Sequence, residues 1–238
     1  MPNELIWFLM LLANFACIIA IYYFFGLTGL FCWIPIATIL ANIQVTMLVE
    51  LFGFTTTLGN VLYAGSFLVT DIMSENYTKK DAVRAVKIGF FAMIATTVIM
   101  SCAIHMAPSA TEGGGISFEG VRNIFAFMPR VSFASLVAYA VSQTHDIWSY
   151  FRWRSWFPAK KFMFIRNNMS TLVSQAIDNV IFTAVAFWGV YPFEVLVQIF
   201  WSTYLLKFII ALCDTPFLYL ADYLKQSGRI RNDVERPN

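Results

Sequence analysis

The sequence predicts an all-α polytopic membrane protein, a bundle of seven transmembrane helices. The first observation is composition: 59% of the 238 residues are hydrophobic and 13% are charged, whereas soluble domains carry roughly 25% charged residues. The second is the presence of seven apolar runs with the length, about 20 residues, that a helix needs to cross the hydrocarbon core. The third is the placement of the basic residues, which gather in alternate connections between those runs.

The seven runs define the predicted helices, at about residues 5–25, 29–51, 54–73, 85–107, 131–151, 169–189 and 193–224. The first is expected to be a helix rather than a signal peptide, because no base precedes it and its apolar stretch is too long. Pro216 predicts a bend in the last helix, since proline removes a backbone hydrogen bond. No linker separates the runs, so residues 1–238 are predicted to form a single transmembrane domain, with 225–238 as a flexible cytoplasmic tail.

The basic residues give the predicted orientation. Four lie around the connection between the third and fourth runs, five between the fifth and sixth, and four after the seventh. The other connections hold only Arg122 and Arg130, and Lys207 lies within a run. Because lysine and arginine are enriched in cytoplasmic loops, the N-terminus is expected outside and the C-terminus in the cytoplasm.

Missing motifs argue against several classes of protein. The sequence contains no H-E-x-x-H and no G-x-S-x-G, and Asp146 and Asp178 lack the glycine flanks expected of an aspartyl protease pair. We therefore expect no enzyme, no cofactor and no metal site. The four cysteines occur singly in different runs and are interpreted as buried apolar residues. The aromatic and basic stretch SYFRWRSWFPAKKFMFIRNN is typical of the membrane interface rather than of nucleic-acid binding.

Two polar repeats interrupt the fifth and sixth runs. SQTHDIWSY begins at Ser142 and SQAIDNVIF begins at Ser174, and both read S-Q-x-x-D-x-x-x-aromatic. Residues three and four apart share a helix face, which gives two stripes: Tyr139, Gln143, Asp146 and Tyr150 on one helix, and Thr171, Gln175, Asp178 and Phe182 on the other. If the antiparallel helices turn these stripes toward each other, they form a compact acidic and amide site within the membrane.

Each polar group has a structural alternative. Glutamines and asparagines in membrane helices often form interhelical hydrogen bonds worth under about 2 kcal/mol. Lys207 is expected to neutralise Asp146 or Asp178, and otherwise to contact substrate or carry a proton. Asp71 and Glu75, four residues apart, either attract Lys79 and Lys80 or act in binding or gating. Carboxylates, amides and aromatic rings together favour a planar polar heterocycle as ligand.

Three separated motifs carry a resemblance to a known family. They are ILANIQVTMLVELFGFTTTLGNVLYAGSFLVTDIMSENYTKKDAVRAV, SQTHDIW and RNNMSTLVSQAIDNVIF. In this order they resemble the queuosine precursor transporter family of the vitamin uptake transporter group, over about residues 29–222. The family signature D-I-x-S-E-x-Y-G-K-K fits residues 71–80 except at Thr78, where glycine is usual. The first helix looks like an extension present in some members.

The resemblance implies uptake of a 7-deazaguanine base, such as the 7-cyano or 7-aminomethyl compound or queuine, across the bacterial inner membrane for tRNA modification. It also implies that the protein transports its substrate without a separate ATPase module. The alternative is a substrate-binding component of an energy-coupling-factor type transporter for another vitamin-like heterocycle. A homodimer of the chain is an open alternative to a monomer. The predicted substrate-binding residues are Asn60, Tyr139, Gln143, Asp146, Gln175 and Asp178, and those for coupling or gating are Asp71, Glu75 and Lys207.

Overall fold

A computed structural model describes residues 2–45, 47–109, 114–126, 128–189 and 192–231. Residues 232–238, half of the predicted tail, lie outside this description, as do residues 110–113 of the glycine-rich loop. Seven α-helices and one two-stranded sheet make up the described fold. They are α1 (Asn3–Gln44), β1 (Leu48–Leu51), β2 (Phe54–Thr57), α2 (Asn60–Asn76), α3 (Lys79–Ala103), α4 (Gly114–Ala126), α5 (Met128–Trp156), α6 (Met163–Phe187) and α7 (Phe193–Gln226).

Helix α1 is a helical hairpin rather than one rod. Gly26 leaves the helical conformation, with φ 54° and ψ −139°, and φ in this region favours glycine. Gln44 Nε2 lies 3.8 Å from Met10 Sδ, which requires the two halves of α1 to run antiparallel. A Cβ added at Gly29 would lie 2.4 Å from the Ile21 carbonyl oxygen, so the reversal brings two backbones into close contact. The break coincides with the predicted gap between residues 25 and 29.

The predicted helices 29–51 and 54–73 are wrong at their facing ends. Residues 48–57 form an antiparallel β-hairpin that pairs Leu48 with Thr57 and Leu51 with Phe54. Phe52 and Gly53 both have positive φ, 53° and 79°, as a tight two-residue hairpin turn requires. Short apolar runs do not distinguish strand from helix by hydropathy alone, which explains the difference.

The hairpin is attached to the start of the chain. The Asn3 side-chain amide donates to the Glu50 carbonyl oxygen at 3.1 Å. The Phe52 backbone N–H donates to Glu4 Oε1, also at 3.1 Å. The first turn of α1 therefore holds the hairpin at one end of the bundle, which we call the hairpin end.

Other helices extend beyond their predicted bounds. Helix α3 begins at Lys79 instead of residue 85, because Thr78 and Asp81 form a capping box there. Helix α5 continues to Trp156, and α6 begins at Met163 instead of residue 169. Helix α7 continues through Pro216 to Gln226 as one element. By length and composition, four of the described helices can cross a membrane, or five if the bent pair α4 and α5 counts as one span.

The opposite end of the bundle carries most of the bases, and we call it the base-rich end. Lys160 pairs with Asp222 at 2.9 Å, joining α7 to the segment before α6. Arg154 Nη1 donates to the Ser74 carbonyl oxygen at 2.5 Å, joining α5 to α2. The backbone N–H of Arg231 donates to the carbonyl oxygen of Tyr23 at 3.0 Å, beside the turn in α1.

The first half of α1 belongs to the core. Trp7, Leu11, Phe15, Ile18 and Tyr22 recur at helical spacing and are all buried. The hydrophobic core that they enter also contains residues of α2, α3, α5 and α7. By sequence, this half of α1 looks like an extension that only some family members have. In the structure it is an integral helix of the bundle.

Candidate functional site

A cavity of about 650 Å³ lies in the half of the bundle nearest the hairpin end. Its walls come from the second half of α1, from β2, and from α2 to α7. Most of the surface that lines the cavity is apolar, as in sites for small organic ligands. The polar side chains reach it mainly from α2, α6 and α7, and they include Asn60, Tyr63, Asp178, Thr183, Ser202 and Lys207.

A buried ion pair lies at the deep side of the cavity. Lys207 Nζ lies 2.5 Å from Asp178 Oδ2 and also donates to Asn179 Oδ1 at 2.7 Å. Tyr63 donates its hydroxyl to Asp178 Oδ1 at 2.5 Å, and the Ser142 hydroxyl reaches the same oxygen at 3.2 Å. The prediction that Lys207 neutralises one of two aspartates is confirmed for Asp178. We call Tyr63, Asp178 and Lys207 the floor of the cavity.

The floor offers both kinds of hydrogen-bonding group to a ligand. Asp178 and Lys207 are 3% and 4% exposed, so their charges are mutually compensated in a medium that screens them weakly. The Lys207 ammonium also lies 4.9 Å from the centroid of the Tyr63 ring, within the range of a cation–π contact. A carboxylate, an ammonium and an aromatic ring thus meet at one place, and Asn60 adds an amide to the wall.

The two polar stripes do not form a single pocket. Gln143 is fully buried on the side of α5 that faces α2, where its Nε2 donates to Ser66 Oγ at 3.1 Å. Thr70 donates to the Gln143 Oε1 at 3.2 Å. Neither Gln143 nor Tyr139 is among the described residues that line the cavity. Instead, the ring of Tyr139 packs against that of Tyr63, with the centroids 6.0 Å apart.

Asp146 and Gln175 lie still deeper. Both are 0% exposed, and neither lines the cavity as far as the structure describes it. Asp146 lies near Asp71 of α2 and near three hydroxyl residues of α6, Ser170, Thr171 and Ser174, but the hydroxyls of these three residues donate to other acceptors and none forms a hydrogen bond with the Asp146 carboxylate. Asp71 accepts a hydrogen bond from Thr171 at 3.3 Å. The stripe residues of α5 and α6 therefore divide between the cavity floor and a buried layer beneath it.

Glu75 closes the base-rich end of this layer. Its Oε1 lies 2.8 Å from Arg166 Nη2, in a pair that is almost completely buried. Tyr150 donates its hydroxyl to Glu75 Oε2 at 2.8 Å. Arg166 also donates to the backbone carbonyls of Phe157 and Pro158. One guanidinium thus joins α2, α6 and the connection before α6.

Of the two alternatives given for Glu75, attraction to Lys79 and Lys80 is wrong, because Glu75 pairs with Arg166. The cause is the early start of α6. Arg166 lies outside the predicted helix 169–189 but inside the observed helix Met163–Phe187. It therefore faces the bundle interior instead of the headgroups.

Comparison with known proteins decides the class of this site. A family model described as "Putative vitamin uptake transporter" matches residues 57–221. A protein of Bacillus subtilis (strain 168) named "Probable queuosine precursor transporter" is 42% identical over 221 residues, covering 93% of this chain and 95% of that protein. The chain belongs to the vitamin uptake transporter family. No solved structure matches it.

The protein is therefore a multi-pass membrane transporter and not an enzyme. The family match begins at residue 57, yet the transporter builds part of its cavity from earlier residues. Thr38, Ala41, Asn42 and Val45, all near the end of α1, line the cavity wall. The helical hairpin α1 thus contributes to the site as well as to the core.

No histidine or cysteine lines the described part of the transporter's cavity. Among the described residues, no three or more His, Cys, Asp or Glu side chains are placed to hold a metal ion. His145 Nδ1 lies 2.9 Å from the Ser174 hydroxyl and joins α5 to α6. The prediction of buried cysteines is wrong: Cys17, Cys32 and Cys102 are exposed on the helix surfaces.

Sequence reasoning missed Tyr63, Ser142 and Asn179 at the floor. A signal for Tyr63 was available, because Asn60, Tyr63, Ser66, Thr70 and Ser74 recur three or four residues apart. That spacing places them on one face of a helix, and the structure turns this face toward α5 and α6. The pair of repeats drew attention to α5 and α6 and away from this stripe on α2.

Proposed function

We propose that this transporter takes up queuosine precursors across the bacterial inner membrane. The substrates are 7-deazaguanine bases, such as 7-cyano-7-deazaguanine, 7-aminomethyl-7-deazaguanine or queuine, and the imported base supplies tRNA modification. The observation that carries the proposal is the 42% identity to a relative named for this activity, over nearly the full length of both chains. The chemistry of the cavity floor supports it.

A deazaguanine presents a polar edge and two flat faces. Its ring N–H and exocyclic amine are donors that suit the Asp178 carboxylate, and its carbonyl oxygen is an acceptor that suits the Lys207 ammonium. In the structure the Tyr63 hydroxyl occupies Asp178 Oδ1. We infer that the substrate edge replaces this hydroxyl, and that the Tyr63 ring then packs against the base. Buried polar groups of this kind also reject analogues that lack the matching donors.

A column of polar groups connects the floor to the base-rich end. From the cavity it passes through Gln143, Ser66 and Thr70 to the buried layer around Asp71, and then to Glu75. Along α2, residues 60–75 span about 22 Å at 1.5 Å per residue. We infer that transport alternates between the observed cavity, with its base-rich end closed at Glu75, and a form that opens toward that end. In this second form Tyr139, Gln143, Asp146 and Gln175 are proposed to contact the base.

The transporter is proposed to cross the membrane seven times. The antiparallel halves of α1 supply two crossings, and α2, α3, α5, α6 and α7 supply one each. Four to five helices qualify by length and composition. Seven crossings exceed this number for two reasons. Helix α1 qualifies as one helix although it crosses twice, and α2 does not qualify because its 17 residues fall short of a full span. This count and the distribution of bases support an external N-terminus and a cytoplasmic C-terminus.

The test uses the purified protein alone in liposomes, with radiolabelled 7-cyano-7-deazaguanine as the probe. Wild type should exchange the label across the membrane, and unlabelled deazaguanines but not adenine should compete. Asp178→Asn removes the negative charge and one of the two acceptor oxygens at the floor and should abolish exchange. Asp222→Asn makes the same chemical change in an ion pair outside the cavity and should leave exchange intact.

The same preparation separates the alternatives. Exchange by the chain alone excludes the substrate-binding component of an energy-coupling-factor type transporter, which needs an ATPase module. Binding without exchange, together with recovery of an ATPase partner from membranes, would favour that alternative. Normal exchange by Asp178→Asn would overturn the assignment of the floor.

A further inference from the structure

Seven carboxylates are buried among the described residues, and two of them lie near helix ends: Asp81 caps α3, and Asp222 pairs with Lys160. The other five lie in the bundle interior and fall into two groups. Glu75 and Asp178 each have a cation within 2.8 Å, Arg166 and Lys207 respectively. Asp71, Asp146 and Asp214 are 0%, 0% and 1% exposed. None of these three forms an ion pair within the part of the chain that the structure describes. We call them the acidic layer.

The three side chains of the acidic layer converge from different helices. Asp71 comes from α2, Asp146 from α5 and Asp214 from α7. Asp71 interacts electrostatically with both of the others, and Asp214 also interacts with Asp146. The three carboxylates are thus electrostatically linked, and Asp71 and Asp214 bind residues one turn apart on α6, Thr171 and Asn167. The layer lies between the cavity floor and the Glu75–Arg166 pair.

Hydrogen bonds satisfy only part of the layer. Thr171 donates to Asp71 Oδ2 at 3.3 Å, and Asn167 Nδ2 donates to Asp214 Oδ1 at 2.9 Å. Four carboxylate oxygens find no hydrogen-bond partner within the described ranges: Asp71 Oδ1, Asp214 Oδ2 and both oxygens of Asp146. Ionised carboxylates need donors or cations when buried, and three adjacent negative charges without a cation cannot all persist there.

An independent observation points to a missing donor. Asn167 is 0% exposed, and its amide nitrogen contacts Asp214, so the amide lies against the layer. Its Oδ1 has no hydrogen-bond partner among the described residues. An amide oxygen accepts and does not donate, so the layer has unused acceptors on an amide as well as on carboxylates. A bound proton turns a carboxylate into a donor and supplies what these acceptors lack.

We propose that Asp71, Asp146 and Asp214 form a proton-binding site that couples substrate uptake to the proton gradient, an inference that rests on the proposed function. Of the three residues that the sequence suggested for coupling or gating, the site retains Asp71, whereas Glu75 and Lys207 are each held in an ion pair. Each transport cycle carries at least one proton from outside to the layer and releases it to the cytoplasm. No other chemical change is required.

The layer is mechanically linked to the cavity. Asp146 lies one helical turn beyond Gln143, which binds Ser66 and Thr70 of α2 beneath the floor. Asp71 directly follows Thr70. Gain or loss of a proton therefore changes the charge at the packing interface between α2 and α5, one turn from the residues that separate the cavity from the layer.

The surrounding charged and titratable groups have defined partners. Tyr150 of α5 binds Glu75 of α2, which pairs with Arg166 of α6. His145 of α5 binds Ser174 of α6. Arg154 of α5 donates to the backbone carbonyls of Ser74 and Glu75. Lys207 of α7 binds Asp178, while Lys225 of α7 and Tyr22 of α1 each contact the Tyr77 ring. On α3, Asp81 caps its own helix and four bases are exposed: Lys79, Lys80, Arg84 and Lys87.

Proton coupling is tested in liposomes with 7-cyano-7-deazaguanine as the probe. If one proton accompanies one substrate, an external pH one unit below the internal pH should give up to about tenfold accumulation. Collapse of the gradient with a protonophore should remove it. In Asp71→Asn and Asp214→Asn the ratio of uptake with and without the gradient should fall to one, whereas Asp222→Asn should keep the wild-type ratio.

A second measurement tests the site without substrate. The infrared spectrum of the purified protein at neutral pH should contain the C=O stretch of a buried protonated carboxyl group. Asp146→Asn and Asp214→Asn should each weaken this band, and Asp222→Asn should not.

The two measurements separate the hypotheses. Net uptake that is the same with and without the gradient, or an infrared spectrum without this band, overturns the proton site. Failure to exchange any deazaguanine overturns the proposed function, and the infrared band then decides on the proton site alone.

Discussion

At the scale of single residues, the ion pair Lys207–Asp178 holds the deep side of the cavity together. Both members are nearly inaccessible, and the carboxylate has two hydroxyl donors in addition to its cation. Removal of one member of a buried pair leaves the other charge uncompensated, which typically destabilises a protein by about 3–5 kcal/mol. Removal of both members avoids that penalty.

A double-mutant cycle therefore separates the stability of the floor from its function. Lys207→Met should lower the thermal unfolding temperature of the purified protein more than Asp178→Asn does. The double variant should be more stable than Lys207→Met alone, because no uncompensated charge remains. Additive losses in the double variant would show that the two side chains do not interact as the structure describes. Neither the single variants nor the double variant should transport.

The sequence predicted that Lys207 pairs with an aspartate but did not identify which one. Sequence reasoning expected a lysine in the middle of a helix to find an aspartate, since a lone charge in a membrane is expensive. It could not choose between Asp146 and Asp178, because this depends on how α6 and α7 rotate against α5. The rotation is fixed by packing between distant parts of the chain, which the spacing within one helix does not contain.

At the scale of elements, the turn in α1 brings two parts of one helix into close backbone contact. Gly29 faces the carbonyl oxygen of Ile21 so closely that a side chain at position 29 forces the two halves of α1 apart. Gly120 in α4 offers a matched comparison, since a Cβ added there meets nothing within 4 Å.

The two glycines should respond to alanine with opposite signs. Gly120→Ala should be neutral or should stabilise the protein by up to about 1 kcal/mol through helix propensity. Gly29→Ala has the same gain in helix propensity, but the clash of the new Cβ with the Ile21 carbonyl oxygen should outweigh it. The free energy of unfolding should fall by about 1–3 kcal/mol in total. Thermal unfolding of the two purified variants measures the difference. Equal unfolding temperatures would contradict the close approach.

Helix positions were easier to predict than helix ends. Long apolar runs located every helix that contributes to the core, because the bilayer demands such runs. The ends depended on local signals with no hydropathy signature, such as the capping box at Thr78 and the two-residue turn at Phe52–Gly53. An error of six residues at the start of α6 was enough to misplace Arg166.

At the scale of the whole molecule, the proposed orientation makes the two ends of the bundle distinguishable in cells. Glu119 in α4 is exposed and belongs to the external connection in this proposal, whereas Ser155 at the end of α5 is exposed at the base-rich end. Both residues are therefore suitable for labelling, once the four native cysteines are replaced by alanine.

In intact cells, a membrane-impermeant maleimide should label Glu119→Cys and spare Ser155→Cys. After permeabilisation it should label both, which controls for reactivity. The expectation follows from seven crossings and from the excess of bases at one end. Labelling of Ser155→Cys in intact cells would reverse the orientation and place the cavity on the cytoplasmic side.

The hairpin β1–β2 connects the start of the chain to the cavity. Asn3 and Glu4 hold its backbone, and Thr56 of β2 lines the cavity wall. A purification tag or fluorescent protein fused ahead of residue 3 would pull on this attachment and reshape the mouth of the transport route. Fusions intended to report on a working transporter therefore belong after α7, at the base-rich end.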